Sequence, residues 1–178
     1  MRQDDDAYRT MTHKPFPRAL DAPPGEAVVL NAGLIERAVA ASRKSPRRRV
    51  ILPLHRSPTD PYQRMLNAVQ PGSYIRPHRH LDPPKGETVV VLRGAIRFLT
   101  FRVNGAVARN VVLTARGGAI GLDVRPGVYH TFIALEPDSV VFEAKTGPYD
   151  ERVDKDFAPW APAEGSPEAM DYLERLAG

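Results

Sequence analysis

Histidine is scarce in this chain, and two of the five, His78 and His80, are separated by a single residue. On an extended strand, residues two apart project to the same face, so both imidazoles can look into one interior. Glu87 opens the next alternating apolar stretch, with Val89 and Val91 on its own face, and His130 shares a face with Phe132 and Ala134 on a later one. Three imidazole nitrogens and one carboxylate oxygen converging from separate strands would hold a divalent transition metal, with positions left for water or substrate. The chain has no cysteine, so thiolate ligands, disulfides and a cysteine nucleophile are excluded and any metal must be held by nitrogen and oxygen. A lone inward histidine is usually a hydrogen-bonded structural residue. A His-x-His pair with a spaced glutamate and a third histidine is much harder to obtain from five histidines by chance. His55 and His13 read as a structural residue and a tail residue.

A pocket of metal and apolar wall alone could not orient a polar ligand, so further inward side chains are expected. Gln63, Arg64 and Asn67 precede the histidine pair; strand parity puts Gln63 and Asn67 on one face and Arg64 on the other, so one set faces in. Arg76, two residues before His78, shares its face if the strand runs regularly across Pro77, and could receive a carboxylate or phosphate by bidentate hydrogen bonds. Glu143 is a candidate acid or base, with Arg76 as a second catalytic candidate. Val141, Glu143 and Lys145 share a face, and two charges on it favour that face outward. Phe132 reads as pocket wall or core.

The elements that must position these groups follow from the remaining pattern. With 178 residues, 42% hydrophobic and 26% charged, one globular domain is expected. Eighteen prolines and thirteen glycines favour short strands and turns over long helices. Asn31 is placed to cap a short amphipathic helix carrying Leu34, Ile35, Ala38 and Val39 and ending near Ser45-Pro46. Beyond it the period changes to two, with strands expected at residues 50–55, 63–69, 73–80, 87–92, 96–103, 107–113, 119–124, 128–135 and 140–145. Asn104-Gly105 is a hairpin signal. So many short strands without intervening helices argue for an antiparallel barrel or jelly roll. Residues 1–27 read as a flexible extension, 28–150 as the barrel with its leading helix, and 151–178 as a C-terminal extension packing on the barrel. Within that extension residues 168–176 look helical, and Ala158 to Pro162, with the only tryptophan, suits a lid or a dimer contact.

The net charge of +4 permits anionic partners without demanding nucleic acid. Arg43, Lys44, Arg47, Arg48 and Arg49 read as cations at a helix C-terminus on a solvated face. Three aspartates in the first six residues are unlike a signal peptide, and no apolar run is long enough to cross a bilayer, so a cytoplasmic protein bound to neither membrane nor nucleic acid is expected. Serine-hydrolase elbows, Walker loops and dinucleotide glycine fingerprints are absent.

The spacing resembles the two cupin motifs. The first runs Gly72, His78, His80, Glu87 and Gly94, and the second Gly121, Gly127 and His130. It departs from them in a long His80–Glu87 gap holding Asp82-Pro83-Pro84, in Ala134 where many cupins carry asparagine, and in Pro126 directly before Gly127. Asp82 is therefore an alternative oxygen ligand. Residues 60–68, 76–80 and 154–162 (DPYQRMLNA, RPHRH and DKDFAPWAP) look like the WbuC family of cupin-fold metalloproteins, over about residues 28–167. That resemblance implies an all-β, double-stranded β-helix with a metal at His78, His80, Glu87 and His130, in proteins often encoded among genes for surface polysaccharide (O-antigen) synthesis. The metal is left open among Fe, Mn, Ni and Zn.

The first functional expectation is a metal-dependent enzyme, an isomerase or dioxygenase, acting on a small polar or anionic molecule such as a sugar or sugar nucleotide. The second is a non-catalytic metal-dependent binding or sensing module, and the third a metal-free, epimerase-like protein with His78 or His130 as general base. By analogy with barrels of this kind a homodimer is expected.

Overall fold

The computed structural model describes residues 16–178, so His13 and the first part of the expected extension lie outside the described residues. The chain runs α1 (Ala32–Lys44), β1 (Arg49–Pro53), β2 (Tyr62–Val69), β3 (His78–Arg79), β4 (Glu87–Arg93), β5 (Ala95–Phe101), β6 (Val107–Thr114), β7 (Gly121–Val124), β8 (Tyr129–Ala134), β9 (Ser139–Thr146), β10 (Asp156–Phe157) and α2 (Glu168–Ala177). Asn31 caps α1 as its sequence implies, its side-chain oxygen accepting from the Leu34 amide at 3.0 Å.

Two five-stranded sheets form the body, ordered β1-β2-β9-β4-β7 and β10-β3-β8-β5-β6. The named strand pairs are antiparallel. Chain neighbours β3 and β4 lie in different sheets, as do β8 and β9, which is the alternation that wraps a jelly roll. Between the sheets, Val89, Ile96, Phe98, Leu113 and Val141 make the inner core. α1 covers the outer face of the first sheet over Val50, Leu52, Leu66 and Val140, and α2 covers the second over Leu99, Ile133 and Tyr74. Alternation therefore gives the strands an inner face shared by core and pocket, while a helix buries the outer face of β1, β2 and β9 in one sheet and of β5 and β8 in the other. In the β5–β6 hairpin, Gly105 has φ +86°, and a Cβ there would lie 3.0 Å from the Trp160 ring.

Several expectations change here. The strand expected at residues 73–80 shrinks to His78–Arg79, because Pro77 has no N–H to donate and its carbonyl instead accepts from Ala158. The partner is β10, a strand of the C-terminal segment that the periodicity did not reveal. Within the N-terminal segment expected to be a free extension, the Leu20 amide donates to Ile51 and the Ile51 amide to Arg18, in a short parallel bridge on β1. Of the lid and the dimer contact expected for this segment, the lid is not formed by Trp160, which packs against Phe101 and Tyr129 on the far side of the second sheet and donates to the Val103 carbonyl. The basic run is not simply a solvated face, since Arg49 is 8% exposed, donating to the Tyr74 carbonyl at 2.7 Å and Glu164 at 2.7 Å.

Candidate metal centre

β3 and β8 pair so that His78 stands opposite His130, and period-two alternation puts His80 on the same inner face. A ring nitrogen from each of the three histidines falls within 4.8 Å of the others. Glu87, at the start of β4 in the opposing sheet, reaches across: its Oε2 lies 3.1 Å from His80 Nε2 and 3.9 Å from His130 Nε2. All four side chains are buried.

Each ring is oriented by its other nitrogen. His78 Nδ1 faces the Arg76 carbonyl at 3.0 Å, His130 Nδ1 faces the Val128 carbonyl at 2.9 Å, and His80 Nδ1 abuts the Asp154 carbonyl. Carbonyls only accept, so these contacts place the proton on Nδ1 and leave the Nε2 lone pairs free to bind a cation. His130 Nε2 is a buried atom without a hydrogen-bond partner among the described residues. His80 has an acceptor at both nitrogens, which a neutral imidazole cannot satisfy; either a second ring proton or a metal cation between Nε2 and the Glu87 carboxylate satisfies it. Adjacent ligands on a metal with bonds of about 2.1 Å stand roughly 3.0–3.4 Å apart, which the His80–Glu87 separation fits. The donor set fits a divalent transition metal.

Electrostatics point the same way. Burial, with Lys155 and the other two rings adding to it, drives His78 well below its ordinary 6.5, and burial lowers His130 despite the opposing charge of Glu87. Burial alone would raise Glu87, yet the His80 hydrogen bond and the charge of Lys145 hold it at about 2. Neutral imidazoles and an ionised carboxylate are the ligand states a metal requires.

The four residues lie beside a cavity of about 480 Å³, and His78, Glu87 and His130 line it. Met65, Asn67, Phe132 and Glu143 form more of its wall, with Arg76, Lys145 and Lys155 adding positive charge. Phe98 stacks on His130 at 5.8 Å and 11°, bracing the ring from the core side.

Among the expected residues, Gln63 and Asn67 face inward while Arg64 does not; it lies over the Tyr62 ring on the other side of β2. Parity correctly separated the two sets. Gln63 lines the cavity, but its amide donates to the carbonyls of Ser57, Pro58 and Asp60, so it serves chiefly to tie down that loop. Asp82 is exposed on its turn and does not reach the site. His55 Nδ1 sits between the amide and carbonyl of Arg64, tying the end of β1 to β2.

The face of β9 expected to point outward points inward. Glu143 and Lys145 are buried because Lys145 finds Asp154 at 2.9 Å, and Asp154 also binds Lys85 at 2.9 Å. Burial and the neighbouring charge of Glu87 raise Glu143. Burial works against the Lys145 charge, but Glu143, Glu87 and Asp154 outweigh it and take that amine to about 12. Lys85, Lys145, Asp154 and Lys155 were missed as site residues; residues 154–162 stood out by resemblance, but nothing in their spacing pointed inward.

A family model described as a domain of unknown function (DUF6016) matches residues 30–113. No curated protein matches the chain. Among solved structures, the capsular polysaccharide assembling protein CapF from Staphylococcus aureus is similar at 21% identity and TM-score 0.47, over 56% of this chain and 27% of that one. The dTDP-4-dehydrorhamnose 3,5-epimerase from Sulfolobus tokodaii is similar at 22% identity and TM-score 0.46, over 53% of this chain and 56% of that one. L-ribose isomerase from Cellulomonas parahominis, solved with L-psicose, is similar at 17% identity and TM-score 0.49, over 64% and 70%. This chain thus spans about a quarter of the CapF chain and just over half of the epimerase. Its own strand order and inward-facing histidine strands make it a double-stranded β-helix of the cupin type.

Proposed function

We propose that this protein binds one divalent transition metal through His78, His80, Glu87 and His130 and is a metal-dependent enzyme, an isomerase or dioxygenase, for a small polar molecule of the sugar or sugar-nucleotide class. The observation that carries the reading is the set of three histidines whose Nδ1 atoms are each held by a backbone carbonyl, leaving a bare Nε2 on His130 and a His80 Nε2 set against the Glu87 carboxylate.

When bound, such a metal supplies Lewis acidity toward a carbonyl or diol oxygen, or a site for dioxygen if it is Fe(II). The chain's own residues do the rest. Glu143, buried in the pocket wall and favouring its protonated form more than a free glutamate, gives or takes a proton at a carbon or hydroxyl beside the centre. Asn67, whose amide lies 3.5 Å from Glu143, orients that carboxyl. Phe132 supplies an apolar wall and Lys145 a fixed positive charge. An acid or base beside the metal is what favours an enzyme over a non-catalytic binding module.

Membership of the WbuC family, with a role in surface polysaccharide synthesis in the cytoplasm, belongs to the same proposal; its support is the sequence resemblance. Among the described residues no helix is long and apolar enough to cross a membrane. A homodimer is proposed through the free edge of β6, where Val107 and Val112 are exposed.

The test is elemental analysis of protein purified without a histidine tag, beside a His78→Ala, His130→Ala double variant. Near-stoichiometric metal that disappears in the variant supports the site and names the metal. Metal far below stoichiometric after reconstitution overturns it.

A further inference from the structure

Most charges around the cavity are already matched. Arg18 binds Glu151 at 2.8 Å, Arg47 and Arg49 share Glu164 at 2.6 and 2.7 Å, and Lys145 binds Asp154 at 2.9 Å. Two cations lining the cavity have no carboxylate partner among the described residues: Arg76 and Lys155.

Their placement follows from strand register. β10 pairs with β3 so that Phe157 lies opposite His78, and one step on Lys155 comes opposite His80. Alternation then puts Lys155 and Phe157 on the pocket face of β10, beside His78 and His80 on the pocket face of β3. Arg76, two residues before His78, continues that row. Its guanidinium lies 5.2 Å over the Phe157 ring and donates one N–H to the Ala158 carbonyl at 2.9 Å. Its Nε is buried without a partner. The group is thus held in one orientation with donors to spare, and Phe157 in turn packs 6.2 Å from His78, linking the guanidinium to the metal side of the pocket.

The Lys155 side chain opens to solvent at the mouth of the cavity. Protein nevertheless surrounds it closely enough to lower its pKa; the charges of Lys145 and Arg49 add to this while Glu143 and Glu87 oppose it. Neither carboxylate forms an ion pair with Lys155, so an anion arriving beside it would meet an unpaired ammonium.

The geometry points to an oxyanion subsite formed by Arg76 and Lys155 beside the metal centre, so that the substrate carries a carboxylate or phosphate group on its sugar-like body. This deepens the proposed function and rests on reading the cavity as the substrate pocket. A fixed guanidinium takes two oxygens of such a group side by side while the exposed ammonium supplies a point charge, an arrangement that favours an anion over a neutral polyol.

The experiment is calorimetric titration of D-glucuronate, D-glucose 6-phosphate and neutral D-glucose into metal-free and metal-loaded protein at low salt. It is repeated with Arg76→Gln, Lys155→Gln and, as a control facing away from the cavity, Arg64→Gln. Charge-assisted hydrogen bonds predict that one anion binds roughly tenfold or more tighter than glucose, and that Arg76→Gln and Lys155→Gln each lose roughly fivefold or more while Arg64→Gln does not. Whichever anion is preferred identifies carboxylate or phosphate as the group received. Equal binding of all three sugars, absence of binding, or unchanged affinity in both pocket variants overturns the subsite. Should Arg76→Gln not fold, Lys155→Gln at its exposed position decides alone. Selective anion binding with no metal uptake would sink the metal reading and leave this subsite standing; stoichiometric metal without anion preference would do the reverse.

Discussion

His78 and His130 stand directly opposite each other on β3 and β8, with ring centroids 4.8 Å apart and both rings pinned at Nδ1 by a carbonyl two residues earlier in the chain. Two buried, neutral rings so arranged gain from a shared cation and lose from any proton added to either.

Metal should therefore stabilise the fold through these rings. At a free metal concentration a hundred times its dissociation constant, linkage gives about 2.7 kcal/mol, which for a domain of this size raises Tm by roughly 5–10 °C. Scanning calorimetry with and without the metal identified by elemental analysis should show this rise in the wild type and none in His78→Ala, His130→Ala. Equal rises in both proteins would place the metal elsewhere.

The metal-free protein should weaken as pH falls. His78 and His130 titrate below their ordinary 6.5, so below that value the unfolded chain takes up protons that the folded chain refuses, and stability is lost. Glu87, at about 2 when folded against an ordinary 4.5, adds a second loss as pH falls from about 4.5 toward 2. Urea midpoints at pH 7.5, 5.5 and 4 should decrease in that order; a flat profile would contradict the burial of these groups.

Asp154 is buried between Lys85 and Lys145, so Asp154→Ala leaves two enclosed ammonium groups without their counter-charge and should cost about 3–5 kcal/mol in chemical denaturation. Arg18→Ala, which breaks an ion pair whose side chains are 71% and 72% exposed, should leave the midpoint within error. The Asp154 carboxylate also stands 3.8 Å from His80 Nδ1, and its two lysine pairs anchor the segment whose backbone carbonyl orients that ring, so the Asp154 variant should bind metal more weakly, roughly tenfold or more by equilibrium dialysis.

Phe98 is fully buried and stacks on both His130 and Phe132. Phe98→Ala should cost about 3–5 kcal/mol through the cavity it opens, and metal affinity should fall as well because His130 loses its brace. Denaturation combined with a metal titration separates the two effects; unchanged metal affinity in a folded variant would show that the ring is held by its carbonyl alone.

Much of this arrangement was legible in the residues. The His78–His80 pair, the apolar alternation around Glu87 and His130, and the turn signals report local geometry, since which residues share a face depends only on the two-residue period. The α1 cap and the Asn104-Gly105 turn are local for the same reason. Which face turns inward is a different matter. Glu143 and Lys145 looked like solvent residues because a buried charge needs a partner, and that partner, Asp154, arrives from a segment beyond the strand rhythm. β10 was hidden because two residues carry no detectable period, and the late start of β3 follows from Pro77.

By itself the sequence determined that an all-β barrel would turn imidazole and carboxylate side chains to one interior, because residue types and strand parity are written residue by residue. Only the tertiary structure decided that Glu87 rather than Asp82 stands beside the three histidines, that β9 turns its charges inward, and that Arg76 and Lys155 line one cavity. Those outcomes depend on strand pairing across the two sheets and on the compensation of buried charge, neither of which any single segment encodes.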